Sequence, residues 1–300
     1  TDSTWRVSRG MIGYHNPIHK KLMIMIGGHP YIDIRNSMNN LTPFNLDKKI
    51  RDKLINGYLS YLKKNPYLHD KIEFDVVTTC YTTEISNNLK RIEGYGLSKG
   101  EILKFKNELL TLTNDIVNEK THSINSLLDL TRILEEFRLS CLKKSYNKSE
   151  IPFLINSLLD FCVTNGTTPF SILARYGFIG KTLMNDLVKS KIIDEQTKSK
   201  FLSSIDTIAT KMFYDMNLVL DKKMKLEDFI NIYGHLRPNS YDIESSTYES
   251  NYENFLPKNA NNLIKSKRRK NLNYQKKKCL RLMMHYKNLD LIAKLLLILS

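Results

Sequence analysis

Ten residues, GHLRPNSYDI from Gly234 to Ile243, carry the densest chemistry in the sequence. His235 can exchange protons near neutral pH. Arg237 offers a planar fork that fits a carboxylate or a phosphate. Pro238 stiffens the chain that holds them. Tyr241 and Asp242 add a hydroxyl and an anionic acceptor. Such a set suits a loop that grips a small polar ligand. The competing reading is a helix-end loop closed by an Arg237–Asp242 pair, and spacing alone does not separate the two.

The familiar enzyme signatures are missing. There is no GxxxxGK[ST] phosphate loop, no GxGxxG after a strand, no GxSxG elbow and no HExxH. His15 and His19 stand four apart, but Pro17 between them works against a shared helical face, so they read as loop histidines, not metal ligands. Gly27 to Pro30, GGHP, reads as a tight turn between strands, with anion binding on its N–H groups the lesser alternative. Met212, Phe213, Tyr214 and Met216 read as core. The four cysteines, Cys80, Cys141, Cys162 and Cys279, form no CxxC pair, which fits reduced thiols better than zinc or disulfides.

These residues need elements to carry them. KLMIMIGGHPYIDIR predicts a strand, a turn and a second strand. LDKKIRDKLINGYLSYLKKNP predicts a helix stopped by Asn65 and Pro66, and IEFDVVTTCY predicts a third strand because it is β-branched and aromatic. From Ser98 on the spacing turns helical, starting with a capping box of Ser98 and Glu101. Helices follow in SINSLLDLTRILEEFRLSCLKK, in SEIPFLINSLLDFCVTNG with Pro152 near its start, and in TPFSILARYGFIGKTLMNDLVKSK. DEQTKSKFLSSIDTIATKMFYDMNLVLDKK predicts the longest helix, and KLEDFINIYG a short last one ending at Gly234 as its C′ residue. The expected fold is therefore α+β: a small antiparallel sheet with a helix at the N-terminus, then a mainly helical body. Residues 1–96 would form the α+β subdomain and residues 97–252 the helical one.

The formal charge of +15 over 300 residues suggests nucleic acid until its distribution is examined. Residues 256–300 hold 12 Lys or Arg and one acid, while the other 255 residues hold 34 basic and 30 acidic groups. The basicity thus belongs to one terminal stretch around KSKRRKNLNYQKKK, predicted to be a disordered tail from about residue 253. No nucleic-acid partner is expected. No apolar run nears the ~20 residues of a membrane span, so a cytoplasmic location is expected. The chain starts at Thr1 without Met, which predicts an internal piece of a longer protein.

YGHLRPNSYDI resembles the YGHLRPGTYDI segment of phosphoenolpyruvate-synthase-like proteins of capsule and lipopolysaccharide loci, and the related GHRGPGE of the rifampicin-phosphotransferase group. Four more stretches match in order. TDSTWRVSRGMIGYHN is similar to TDSxWxxxRxxYGY, and GGHPYIDIRNSMNNLTP to GHPYVDVRASFNSFxP. NPYLHDKIEFDVVTTCY is similar to HPELHDKVEFEVVFTCY, and GTTPFSILARYGFIGKTLMNDLVKSKIID to GTLPFAxLARxAFIAxxLLRSLVxxGxL. The likeness runs from Thr1 to about Tyr252. Asn239 and Ser240 stand for Gly-Thr, and Met38 and Asn40 for Phe and Ser. The later switch to Lys, Arg and Asn resembles A-rich DNA translated out of frame.

The resemblance implies the central part of a dikinase-type phosphotransferase, which passes a phosphoryl group from ATP to a histidine and then to an acceptor. One capsule-locus member is an L-glutamine kinase that serves phosphoramidate decoration of capsule. ATP and Mg belong to the full-length relative, and no cofactor is expected in this chain. The ATP-grasp and phosphohistidine domains would be its partners, with L-glutamine or a similar small molecule as acceptor. No ATP-grasp signature and no GGxxSHxAIxARE-like segment occurs, so His235 is not expected to be the phosphorylated histidine and the fragment is expected to be inactive alone. The expected acceptor lining is Arg35, Asn39, Arg175, His235, Arg237, Tyr241 and Asp242, facing a cleft. The other reading is a non-catalytic scaffold that spaces the two missing domains.

Overall fold

The structure, a computed structural model, describes residues 2–17, 21–83, 85–203, 205, 207–238 and 244–255. It is mostly helical with one two-stranded antiparallel sheet near the N-terminus, as the α+β reading expects. The basic tail expected from about residue 253 lies, from 256 on, outside the described residues. Residues up to Glu195 form one compact unit, and those from Gln196 form a second.

The first unit opens with α1 (Asp2–Met11), then the hairpin of β1 (Met23–Ile26) and β2 (His29–Ile32), in which Ile26 pairs with His29. Gly27 and Gly28 turn it with φ of 57° and 81°, a region that favours glycine. Asp33 caps the short α2 (Ile34–Asn39), accepting from the Asn36 N–H. Next, α3 (Lys48–Lys64) ends at Asn65 before Pro66, where the sequence predicts its stop.

The third strand does not form. Ile72–Val76 is a wide helical turn, and the segment after it is irregular, bending at Val77 and Cys80, and none of its described residues forms a strand. Side chains take the bonds that a ladder would supply. Arg91 donates to the carbonyls of Asp75 and Val76, each at 2.8 Å. Tyr14 donates to the Thr79 carbonyl, while the N–H groups of Thr78, Tyr81 and Thr83 donate to Tyr58, Thr113 and Asp186. The β-branched residues reflect burial of this segment, not sheet pairing: Val76 and Val77 are both core residues.

Helices α4 (Ile85–Glu93) and α5 (Lys99–Val117) follow, the latter with the expected Ser98–Glu101 capping box. Then α6 (Ile124–Leu142) is followed by α7 (Ile151–Cys162), a wide turn (Val163–Thr167) and α8 (Thr168–Lys189). The last three run on without a break. Pro169 has no N–H to complete a regular turn at the start of α8, and the wide turn absorbs that loss. Phe105 and Leu109 of α5 join a core with Met38, Leu54, Tyr58, Val76 and Ile92. One turn on, Leu112 and Ile116 join a second core with Ile12, Tyr14, Ile172, Tyr176 and Ile179. Residues on both sides of position 96 thus share the first core.

The expected longest helix, from Asp194 on, is broken in two: α9 (Glu195–Leu202) and α10 (Ile208–Leu220). Thr207 ends the continuity. It is extended, and its hydroxyl and N–H exchange bonds with the N–H and hydroxyl of Thr210, which starts a new helix. In the second unit, α11 (Leu226–Tyr233) and α12 (Tyr248–Phe255, interrupted at Asn251) pack with α10 around Met216, Phe229 and Tyr233. Among the described residues no helix is long and apolar enough to cross a membrane.

Candidate functional site

The motif at Gly234 begins where α11 ends, as its sequence predicts, but glycine is there for a different reason. Gly234 is right-handed, at φ −56°, and makes no left-handed cap. Its value is space: a Cβ there would come within 2.4 Å of the Ile230 carbonyl oxygen and 3.1 Å of the Glu249 Cβ. The chain returns onto this corner. The Glu249 N–H donates to the Gly234 carbonyl and the Tyr248 N–H to the Leu236 carbonyl, each at 3.0 Å. His235 is exposed, whereas Leu236 turns into the core of the second unit. Arg237 is partly buried, and its Nε donates to the Ser245 carbonyl at 2.9 Å. Beneath the loop, the buried Asp215 accepts from the Tyr233 hydroxyl at 2.7 Å. Burial, together with that carboxylate, pushes the Tyr233 phenol up to about 12. Tyr241 and Asp242 lie outside the described residues.

The other expected lining residues lie in the first unit. Arg35 and Asn39 sit one helical turn apart on α2, and the Asn39 amide donates to the Arg35 carbonyl at 2.9 Å. Arg35 is exposed and reaches Asn56 of α3 at 3.0 Å. These two form one surface group. Arg175 does not join them. It is buried within α8, with only 4% of its surface exposed.

Around Arg175 the structure builds a polar network that the motif residues alone do not suggest. Glu73, on the wide turn, bridges two guanidiniums: one carboxylate oxygen takes Arg175 Nη1 at 2.8 Å, and the other takes Arg9 Nη2 of α1. Arg9 Nη1 donates to Asn40 Oδ1 at 3.3 Å. Arg175 Nε and Nη2 donate to the Tyr14 hydroxyl at 3.3 and 3.1 Å, and that hydroxyl donates onward to the Thr79 carbonyl at 2.8 Å. The Asn40 amide closes the group on the carbonyls of Arg6 and His15. Two cations therefore share one anion between α1, the turn after residue 71, and α8.

Electrostatics fix the protonation of this group. Burial opposes the charge on Arg175, yet Tyr14 and Glu73 outweigh it and hold its pKa above the usual range. Burial lowers that of Arg9, partly offset by Glu73, but a guanidinium keeps its proton in any case. Burial pushes the Tyr14 phenol up, against the pull of Arg175. Arg9, Arg175 and Tyr14 therefore keep their protons near neutral pH. The network's role is to tie α1, the wide turn and α8 together. Nearby, burial and then the Arg51 charge push the His15 imidazole down to about 4. Among the described residues no group of three or more His, Cys, Asp or Glu could hold a metal ion, and Cys80, Cys141 and Cys162 are free thiols.

No family model, curated protein or solved structure matches the chain. The family resemblance thus rests on the quoted stretches, and their placement can be compared with the network. Arg9 and Tyr14 come from the first stretch, Glu73 and Thr79 from the third, and Arg175 from the fourth. Each of these is a letter held fixed in the pattern it resembles, but Thr79 takes part only through its main-chain carbonyl, and Asn40, also in the network, stands where its pattern has Ser. That is the signal by which Arg9, Tyr14 and Glu73 could have been singled out. They are distant in sequence, with Glu73 lying 64 and 102 positions from its two arginines.

Proposed function

We propose that this chain is the central, acceptor-binding part of an ATP-dependent phosphotransferase related to phosphoenolpyruvate synthase, with L-glutamine as the preferred acceptor. Its place would be capsule phosphoramidate biosynthesis, in the cytoplasm. The observation that carries the reading is the convergence of the fixed letters of three separate resembling stretches on one hydrogen-bonded network.

In this reading the network is the frame and not the site. The motif after α11, His235, Arg237, Tyr241 and Asp242, supplies the polar groups for the acceptor. An arginine clamps its carboxylate and the aspartate holds its ammonium. ATP, Mg and the phosphorylated histidine belong to the missing domains, so the chain alone carries out no turnover.

A second reading is a non-catalytic spacer between the nucleotide and phosphohistidine domains. It is favoured by the commitment of Arg175 to Tyr14 and Glu73, and of Arg237 Nε to the Ser245 carbonyl. Titration calorimetry of the chain with L-glutamine, ATP and phosphoenolpyruvate separates the two. Heat with glutamine alone supports acceptor binding. Silence with all three supports the spacer, and ATP binding overturns the assignment of this chain to the central part.

A further inference from the structure

Asp215 is a carboxylate buried without a cation among the described residues. It stands on α10 in the run Met212, Phe213, Tyr214, Asp215, Met216, the one acid in an otherwise apolar and aromatic stretch. Only 8% of its surface is exposed. Among the described residues it has a single hydrogen bond, from the Tyr233 hydroxyl to Oδ2 at 2.7 Å, and no Lys, Arg or His pairs with it. Lys211, one turn earlier on α10, is exposed and turns away from it. Tyr233 brings no charge either, since its phenol, pushed up to about 12, keeps its proton.

A buried carboxylate without a counter-charge is costly, and a bond to Tyr233 does not require one. Asparagine would accept from the same hydroxyl at the same place. The acid therefore points to a cation from outside the chain, and its position says which. Tyr233 is the last residue of α11, so its ring lies directly under the Gly234 corner. Leu236 of the motif packs into the same core as Tyr233 and Met216. The second oxygen, Oδ1, bonds to nothing among the described residues and is not sealed from solvent. All of these residues belong to the second unit.

We propose that Asp215 Oδ1 holds the ammonium of the acceptor, so that the site selects an α-amino acid over the same molecule without its amine. An ammonium has three N–H donors, and Asp242 engages one of them at most in a linear bond, which leaves donors for a second carboxylate. Tyr233 fixes the acid by holding Oδ2, and Oδ1 is left for the ligand. The proposal rests on the acceptor-binding reading and adds to it the residue that recognises the amine.

Calorimetry of the 300-residue chain tests it with two probes, L-glutamine and glutaric acid monoamide, which is glutamine without its α-amino group. The parent should prefer glutamine by about a hundredfold in Kd. Asp215→Asn keeps an acceptor for Tyr233, so it should retain the circular dichroism of the parent and bind the two probes about equally. Tyr233→Phe keeps the carboxylate and should keep the preference. No preference in the parent, a preference that Asp215→Asn retains, or variants that weaken both probes alike would each overturn the proposal while glutamine binding, and with it the acceptor reading, stands. A parent that binds neither probe overturns both. Heat from potassium chloride alone that Asp215→Asn abolishes, with no preference between the probes, would mark a site for a free monovalent cation and overturn it as well. Should Asp215→Asn fail to fold, the ratio in the parent and in Tyr233→Phe decides.

Discussion

Glu73 holds Arg175 at 2.8 Å with one carboxylate oxygen while the other takes Arg9, so a single anion locks α1 and α8 to the turn between them. The two bonds carry a prediction. Glu73→Gln keeps the shape and removes the charge, leaving two guanidiniums to repel each other away from bulk water. Because Glu73 is itself partly exposed, the loss should be about 2–4 kcal/mol, below the full cost of orphaning a buried charge. Tyr14→Phe removes one acceptor of Arg175 and one donor to Thr79, and should cost about 1–3 kcal/mol. Urea unfolding of the two variants measures both.

Stability should also fall on mild acidification. The imidazole of His15 ordinarily titrates near 6.5, and in the folded chain only near about 4. Between those values the unfolded chain binds more protons, so stability present above pH 6.5 is lost as the pH drops toward 4. The effect should be roughly 1–2 kcal/mol, less than the bare shift would give, since the ring is partly exposed. In His15→Gln the dependence over this range should flatten, as read from chemical denaturation at a series of pH values.

At Gly234 an added methyl meets the Ile230 carbonyl, a backbone atom that cannot swing aside. Gly234→Ala should therefore destabilise the second unit by about 1–3 kcal/mol, although alanine favours helices. Thermal unfolding followed at the α10–α12 signals by NMR would show it. An unchanged or raised midpoint would mean that the corner opens freely.

Ser98→Ala removes one half of the capping box of α5, in which the Ser98 hydroxyl takes the Glu101 N–H at 3.2 Å. The expected loss is about 1 kcal/mol. Glu101→Ala should cost more than the cap alone, because the same carboxylate also receives Lys53 at 2.8 and 2.9 Å. Comparing the two variants by denaturant midpoint tests this ordering.

What the sequence made legible was local. The hairpin follows from two glycines between apolar runs, the stop of α3 from Asn65 and Pro66, and the start of α5 from two residues three apart. The third strand misleads because β-branched residues report burial, and here Arg91, Tyr58, Tyr14 and Thr113 supply the bonds of an absent neighbour strand. The break before α10 is hidden because Thr210, not a glutamate, closes the cap. For the site, the helix end at Gly234 follows from sequence. That Arg175, expected to line a cleft, is instead buried against Glu73 does not, since no local spacing joins positions 102 apart.

The central claim is that the loop after Gly234 serves the acceptor step, and it is tested most directly by separating the half-reactions in the reassembled enzyme. Arg237→Ala should abolish phosphoryl transfer to the acceptor and leave ATP-dependent phosphorylation of the histidine largely intact. Loss of both activities in a well-folded variant would move the loop to the nucleotide step, and retention of both would make it purely architectural; either result contradicts the account.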